Sequence, residues 1–169
     1  ELTSQEALDL VAELDRIGVT DVTLSGGEPF LRKDIWQILR ALNNRDIPFV
    51  IYTNGTLLNN RRIKKLVQIG VSFISVSLNG ATARAHNFVQ NANTFKKVLK
   101  TIEMLKKEKI KVQILFTLMK TNAHETPDLI NLAKELDIDE ICIYPFYPIG
   151  RGSQNLKDLE LSQKEAKTI

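Results

Sequence analysis

The sequence predicts an α/β fold built around a parallel β-sheet. Helix-like and strand-like segments alternate along nearly the whole chain, the strand-like segments are rich in β-branched and apolar residues, and glycine-containing breaks follow most of them. Alternation of this kind indicates parallel strands joined by right-handed helical crossovers. Strands that are apolar on both sides suit a sheet whose two faces are covered. An open doubly wound sheet and an incomplete barrel both fit this pattern.

The composition is that of one soluble globular domain, since 43% of the 169 residues are hydrophobic and 25% are charged. The net charge is only +3, and the basic residues lack the interleaved aromatic side chains typical of nucleic-acid binding. No apolar run approaches the roughly 20 residues that a membrane-spanning helix needs. The single cysteine, Cys142, excludes an internal disulfide and favours the reducing cytoplasm. The chain opens with Glu1 rather than Met, so we expect a trimmed chain or an excised domain.

The first helix is predicted to begin at a capping box. Thr3 or Ser4 is the expected N-cap, and Glu6 lies three residues beyond Thr3. Apolar residues then recur at helical spacing as far as Ile17, and Gly18 ends the helix.

The remaining elements follow in regular alternation. The strands are predicted at residues 22–25, 48–52, 73–78, 111–118 and 140–146. The helices between them are predicted at residues 34–43, 61–69, 94–108 and 125–136. We assign residues 1–152 to one domain and residues 153–169 to a polar tail, in which a further helix is expected near Ser162.

Polar or glycine-rich residues follow four of the five predicted strands. They occupy residues 25–29, 53–55, 77–80 and 145–152. In an open parallel sheet and in a barrel alike, ligands bind at the carboxyl ends of the strands. The sequence therefore predicts a binding site at this edge of the sheet.

One of these strand exits carries a familiar motif. Residues 25–29, Ser-Gly-Gly-Glu-Pro, resemble the Gly-Gly-Glu-Pro motif of radical S-adenosylmethionine enzymes. In that family the segment follows the second strand, and its backbone binds the methionine amino group of the cofactor. Two glycines allow the main chain to approach a ligand closely, and Pro29 restricts the turn.

The other exits extend the resemblance over nearly the whole chain. Thr-Asn-Gly at 53–55, Ser-Leu-Asn-Gly at 77–80 and Pro-Ile-Gly-Arg-Gly at 148–152 resemble family motifs in the same order. The nearest branch includes haem-biosynthesis, peptide-modifying and molybdenum-cofactor enzymes. His86 also matches a family motif, but the acid and the arginine that accompany it in relatives are missing, and Asn79 replaces the commoner aspartate.

The resemblance implies a partial (β/α)6 TIM-like barrel of which the second to sixth strands are present and the first is missing. It also implies an S-adenosylmethionine site, with no catalytic side chain assigned. Its members would be Gly26, Gly27 and Glu28 at the methionine end, Thr53, Asn54 and Ser77 further along, Tyr147 beside the adenine, and Arg151 for a substrate carboxylate.

The family's Cys-x3-Cys-x2-Cys segment is absent from this sequence. Three thiolates hold three irons of a [4Fe–4S] cluster and leave the fourth iron for the cofactor. Cys142 lies alone in an apolar strand and is expected to be a core residue. We therefore expect no cluster and no other metal site in this chain.

The leading hypothesis is a piece of a cytoplasmic oxidoreductase that is inactive by itself. The whole enzyme would take an electron from a donor, cleave S-adenosylmethionine to a 5′-deoxyadenosyl radical, and abstract hydrogen from a peptide or a tetrapyrrole. The alternatives are a cluster-free binding or scaffold domain and a phosphate-binding barrel enzyme without redox chemistry. A missing first strand would leave an exposed strand edge, from which we expect self-association.

Overall fold

The computed structural model describes residues 1–148 and 159–161, and within them five parallel strands form one sheet. The strands are β1 (Val22–Leu24), β2 (Phe49–Thr53), β3 (Phe73–Ser77), β4 (Lys111–Leu118) and β5 (Glu140–Pro145). Their order in the sheet is their order in the chain, and every pair is parallel. The predicted parallel α/β architecture is confirmed.

Six α-helices and two short 3₁₀ turns occur in the described residues. The helices are α1 (Ser4–Arg16), α2 (Ile35–Asn43), α3 (Asn60–Ile69), α4 (Ala83–Gln90), α5 (Phe95–Lys107) and α6 (Thr126–Glu135). The capping box of α1 is present as predicted, because Thr3 Oγ1 accepts from the amide of Glu6 and the Glu6 carboxylate accepts from the amide of Thr3. None of these helices is long and apolar enough to cross a membrane.

The main hydrophobic core lies between one face of the sheet and the helices. Alternate strand residues point into it and are almost completely buried, among them Ile51, Ile74, Val76, Ile114 and Phe116. Because strand side chains alternate between faces, the residues between these positions point to the opposite face of the sheet.

That opposite face carries polar side chains in register. Tyr52 pairs with Ser75, Ser75 with Gln113, and Gln113 with Glu140 across β2 to β5. The hydroxyls of Tyr52 and Tyr144 lie 3.2 Å apart, although two strands separate β2 from β5. On a flat sheet these strands would lie about 14 Å apart, too far for two side chains that stand perpendicular to it. The contact therefore requires a sheet that curves around this face, as in a partial barrel.

Helix α4 was not predicted. Its eight residues bury only Ala85 and His86, so the segment has no continuous apolar stripe by which periodicity would reveal it. Its N-terminus is fixed instead by the side chain of Thr82, which accepts from the amide of Ala85. The predicted helix near Ser162 and the polar tail fall almost entirely outside the described residues.

The edge of the sheet formed by β1 is short and borders an apolar groove. Within the described residues β1 pairs only with β2. Beside it, a cavity of about 210 Å³ lies between α1, α2 and β1 and is lined mostly by aliphatic side chains, including Leu10, Val11, Leu24 and Ile38. An unpaired strand edge beside apolar surface is a site where another chain can pair.

We predict that the chain associates with itself through this edge at high concentration. Thr23 is exposed on β1, and Thr23→Lys places a charge on the edge, so this variant is expected to remain monomeric with an unchanged circular dichroism spectrum. Light scattering on both proteins measures the association. A wild-type chain that stays a monodisperse monomer would contradict the prediction.

Candidate functional site

The carboxylate of Glu28 joins the exit of β1 to the exit of β2. Its Oε1 accepts from the Thr53 hydroxyl at 2.8 Å, and its Oε2 accepts from the backbone amide of Asn54 at 2.8 Å. The amide of Phe30 adds a third bond at 3.3 Å. Both carboxylate oxygens are therefore engaged within the protein, and Glu28 holds the two loops together instead of projecting towards solvent.

The two glycines that precede Glu28 lie in the same loop and are exposed to solvent. Gly26 has φ +133°, a conformation that non-glycine residues rarely adopt. A Cβ atom at Gly26 or at Gly27 would meet no atom within 4 Å. Within the described part of the chain, no hydrogen bond engages the peptide groups of either glycine. These groups are consequently available to a ligand at the surface of the loop.

The Thr-Asn-Gly segment after β2 combines buried and available groups. The Thr53 hydroxyl is buried, donates to Glu28, and accepts from the amide of Gly55 at 3.0 Å. The Asn54 side-chain oxygen accepts from the amide and hydroxyl of Thr56, which closes a local turn. The side-chain nitrogen of Asn54 has no partner among the described residues, so this donor is available at the exit of β2.

The other predicted site residues occupy the same end of the sheet or lie outside the described residues. Ser77 is the last residue of β3 and points to the curved face, because it pairs with Leu115 in register with Ser75 and Gln113. Tyr147 follows β5 and is 65% exposed. Arg151 falls outside the described residues.

A second network joins the exits of β3 and β4. The Asn79 side chain accepts from the amide of Thr117 at 3.0 Å. The Asn122 side chain donates to the carbonyls of Asn79 and Thr117 and accepts from the amide of Met119 at 2.8 Å. Asn79, which replaces the aspartate expected from the resemblance, thus still accepts a hydrogen bond through its side-chain oxygen.

Glu125 fastens this network to the loop before α4. Its carboxylate accepts from both the amide and the hydroxyl of Thr82, with the amide at 3.0 Å. Gly80 lies directly against it, where a Cβ atom would come within 2.6 Å of Ala85 Cβ and 2.9 Å of the His86 amide nitrogen. Only glycine fits this close approach.

His86 is fully buried behind the same loop and is held neutral. Its Nδ1 accepts from the amide of Asn79 at 3.2 Å, so Nε2 carries the proton and donates to the Thr94 hydroxyl at 3.1 Å. Burial lowers the pKa of His86 to about 4. The residue is therefore a neutral structural element of the β3 exit.

Tyr52 and Tyr144 were not predicted as site residues. Both side chains lie on the curved face of the sheet, where their hydroxyls meet. The hydrogen bond with Tyr52, together with the neighbouring Cys142 thiol, raises the pKa of Tyr144. The available sequence signal was that Tyr52 immediately precedes the Thr-Asn-Gly motif at 53–55. The pairing of Tyr52 with Tyr144 depends on sheet curvature, which no local pattern reports.

The residues present suit S-adenosylmethionine but not an iron–sulfur cluster. Free peptide groups at Gly26 and Gly27 beside open space provide hydrogen-bond partners for the amino and carboxylate groups of a bound amino acid. A cluster needs three thiolates, and the whole sequence contains one cysteine, Cys142. In the described residues, no three His, Cys, Asp or Glu side chains are grouped so as to hold a metal ion.

Comparison with known proteins identifies a family and relatives that this chain resembles in sequence. The sequence profile of the Radical SAM superfamily matches residues 1–133. An Fe-coproporphyrin III synthase of Methanosarcina barkeri is 33% identical over 99% of this chain and 42% of its own length. An AdoMet-dependent heme synthase of the same organism is 38% identical over 92% of this chain and 45% of its own length. The chain thus spans less than half the length of these two relatives.

Solved structures share the fold at low sequence identity. SuiB of Streptococcus suis bound to S-adenosylmethionine superposes with a TM-score of 0.80 at 17% identity, over 95% of this chain and 37% of SuiB. SuiB bound to its precursor peptide SuiA gives a TM-score of 0.79 at 18% identity, over 89% of this chain and 34% of SuiB. This likeness confirms the predicted barrel-type α/β fold.

We predict that the Thr53 hydroxyl is required for the bridge at Glu28. Thr53→Val removes it without changing the side-chain volume, leaves the Gly55 amide unpaired, and should lower the free energy of unfolding by about 1–3 kcal/mol. Thr53→Ser keeps the hydroxyl, so its free energy of unfolding should fall much less. Urea unfolding of both variants and of the exposed-site control Thr23→Val measures the difference, and equal stabilities for all three would contradict the assignment.

We predict that His86 makes the protein less stable in mild acid. The unfolded chain binds the imidazole proton with a pKa near 6.5 and the folded chain with a pKa of about 4, so protonation favours unfolding. The contribution of His86 is therefore present above pH 6.5 and is lost as the pH falls from 6.5 towards 4. Urea midpoints measured across this range for wild type and for His86→Gln should converge in acid, and parallel curves would refute the prediction.

Proposed function

This chain belongs to the Radical SAM superfamily, and on that premise we propose that it forms the S-adenosylmethionine-binding portion of a radical enzyme. The observation that carries the proposal is the Gly26–Gly27 loop, whose peptide groups are free while Glu28 fixes it to the next strand exit. Glu28 holds this loop in one conformation, while the peptide groups of Gly26 and Gly27 have no hydrogen-bond partner among the described residues. Such a loop is preorganised to bind a ligand.

In the whole enzyme, S-adenosylmethionine bound at this loop would supply the radical chemistry that removes a hydrogen atom from the substrate. The protein's part is to bind and orient the cofactor. The peptide groups of Gly26 and Gly27 hold the methionine end, and the Asn54 side-chain nitrogen donates at the exit of β2. Ser77 and Tyr147 line the cofactor further along. Glu28 and Thr53 act as positioning residues, because their polar atoms are engaged with each other.

The 169 residues by themselves are inactive in this proposal. One cysteine is too few to ligate a [4Fe–4S] cluster, so the thiolates that complete the enzyme come from elsewhere. The same shortage of cysteine favours the second candidate, a cluster-free binding domain that uses the curved face for a partner.

We propose a tetrapyrrole as the substrate class of the whole enzyme. The support comes from the two relatives at 33% and 38% identity, named as an Fe-coproporphyrin III synthase and a heme synthase. A peptide substrate has weaker support, because the likeness to peptide-bound SuiB at 18% identity bears on the fold alone. In both cases Arg151 is the proposed partner for a substrate carboxylate.

We predict that Gly27→Ala weakens S-adenosylmethionine binding without harming the fold. The added methyl group meets no protein atom within 4 Å, so the melting temperature should not change. The methyl group occupies the space through which the ligand approaches, and it should weaken binding about tenfold, or ~1.4 kcal/mol. Isothermal titration of the chain with S-adenosylmethionine measures the affinity.

Gly18→Ala provides the control for this titration. Gly18 also lies in open space, but in the turn between α1 and β1 at the opposite end of the sheet. Its positive φ of +70° makes an alanine there strained, so this variant should lose some stability but keep the wild-type affinity. Wild-type affinity for Gly27→Ala, or no measurable binding by the wild-type chain, would overturn the proposed site.

We also predict that anaerobic incubation with iron and sulfide yields no stable cluster on this chain. A single thiolate does not retain the cluster, so the ~400 nm absorption band should disappear on desalting. A band that survives desalting, with close to four irons per chain, would show that the chain is complete as a cluster-binding unit.

A further inference from the structure

The contact between Tyr52 and Tyr144 leaves one donor proton unused. The two phenol oxygens lie 3.2 Å apart and share one hydrogen bond. Tyr144 also interacts with the thiol of Cys142, two residues earlier on the same face, and both contacts raise the pKa of Tyr144, so its hydroxyl is protonated at neutral pH. Each of the three groups carries one proton, and the two contacts use two of them. One donor therefore has no protein partner among the described residues.

This donor can be reached from solvent, close to the strand exits. Tyr144 is 41% exposed, and Tyr52 is half-buried. Tyr52 immediately precedes Thr53, the last residue of β2, and Tyr144 immediately precedes Pro145, the last residue of β5. The tyrosine pair therefore lies on the curved face one residue before the ends of these strands.

A second unused donor lies on the same face. Gln113 is 9% exposed and is in register with Ser75, which is itself in register with Tyr52. The Gln113 Oε1 accepts from the Ser75 hydroxyl at 2.7 Å, whereas its Nε2 has no partner in the part of the chain that the structure describes. Buried polar side chains usually have their hydrogen bonds satisfied, so this amide group calls for an external acceptor.

The strands bring no charged group to the middle of this face. Among the residues of the five strands only Lys111 and Glu140 are charged, and each is the first residue of its strand. Four residues separate Glu140 from Tyr144, which corresponds to about 13 Å along a β-strand. No carboxylate of the sheet therefore lies close enough to accept from the tyrosine pair, and none would repel an anion bound there at short range.

We propose that Tyr52, Tyr144 and Gln113 form a subsite that binds a carboxylate of the substrate. Unpaired O–H and N–H donors fit acceptor oxygens, and hydrogen bonds to an ionised acceptor are stronger than those to a neutral one. A tetrapyrrole with propionate side chains supplies such a carboxylate, so this inference rests on the proposed function for the substrate class. The subsite holds one propionate on the curved face and thereby orients the macrocycle at the strand exits.

A purely structural role accounts for less of this arrangement. Water competes for hydroxyls that are accessible to solvent, so the bond between Tyr52 and Tyr144 adds little to the stability of the sheet. Such a role also leaves the Gln113 Nε2 unexplained. A bound carboxylate has two oxygens and can accept from both donors at once.

The test is a fluorescence titration of the chain with coproporphyrin III, which carries propionate side chains, and with its tetraamide, which carries neutral amides instead. The double variant Tyr52→Phe/Tyr144→Phe removes both hydroxyls and keeps both rings. It should weaken binding of coproporphyrin III roughly tenfold and binding of the tetraamide no more than about threefold, because the lost bonds are stronger to an ionised acceptor. The melting temperature should stay close to that of wild type, since the lost hydroxyls are accessible to solvent.

Two further variants complete the titration. Tyr144→Phe changes only the more exposed residue and should show part of the same loss, so the test does not depend on the stability of the double variant. Thr20→Val is the control, because it removes an exposed hydroxyl in the turn between α1 and β1, at the opposite end of the sheet. Both affinities of this variant should remain within about twofold of wild type.

The possible results separate the subsite from the function on which it rests. Unchanged affinity for coproporphyrin III in the tyrosine variants, or equal weakening of both ligands, would overturn the subsite and leave the tetrapyrrole proposal standing. No binding of coproporphyrin III by the wild-type chain would overturn both. Binding that depends on the hydroxyls, in a wild-type chain that fails to bind S-adenosylmethionine, would support the subsite and refute the proposed cofactor site.

Discussion

The carboxylate of Glu28 is the interaction on which the site depends. Strand β1 is only three residues long and lies at the edge of the sheet, so its own ladder to β2 gives the following loop little support. Glu28 supplies that support by accepting from Thr53 and from the amide of Asn54. Bonds to an ionised acceptor are stronger than neutral ones, and they hold Gly26 and Gly27 in place without using their peptide groups.

A second connection of the same kind holds the other side of the curved face. Asn79 and Asn122 join the exits of β3 and β4, and Glu125 fastens the adjoining loop through Thr82. In both connections the polar side chains of the motifs bond to neighbouring backbone or to each other. The groups left for a ligand are main-chain atoms and a few side chains between the two connections. Much of each motif therefore serves to position backbone.

The order of the strands and most helix positions could be predicted because they follow from local periodicity. Helix α4 could not be predicted from periodicity, because its position is set by the Thr82 cap and by the buried His86 side chain. His86 bonds to Asn79 and Thr94. The hydrogen bond between Glu28 and Thr53 could not be predicted either. Residues 25 positions apart become partners only when two parallel strands bring their carboxyl ends together.

The sequence by itself determined the alternating α/β order and the family to which its motifs belong, and it predicted a ligand site at the strand exits. These properties depend on spacing and residue type along the chain. Only the tertiary structure decided that the sheet curves and that Tyr52 meets Tyr144 across it. Each of these depends on contacts between residues far apart in the chain, and their geometry is set by the packing of whole strands and helices.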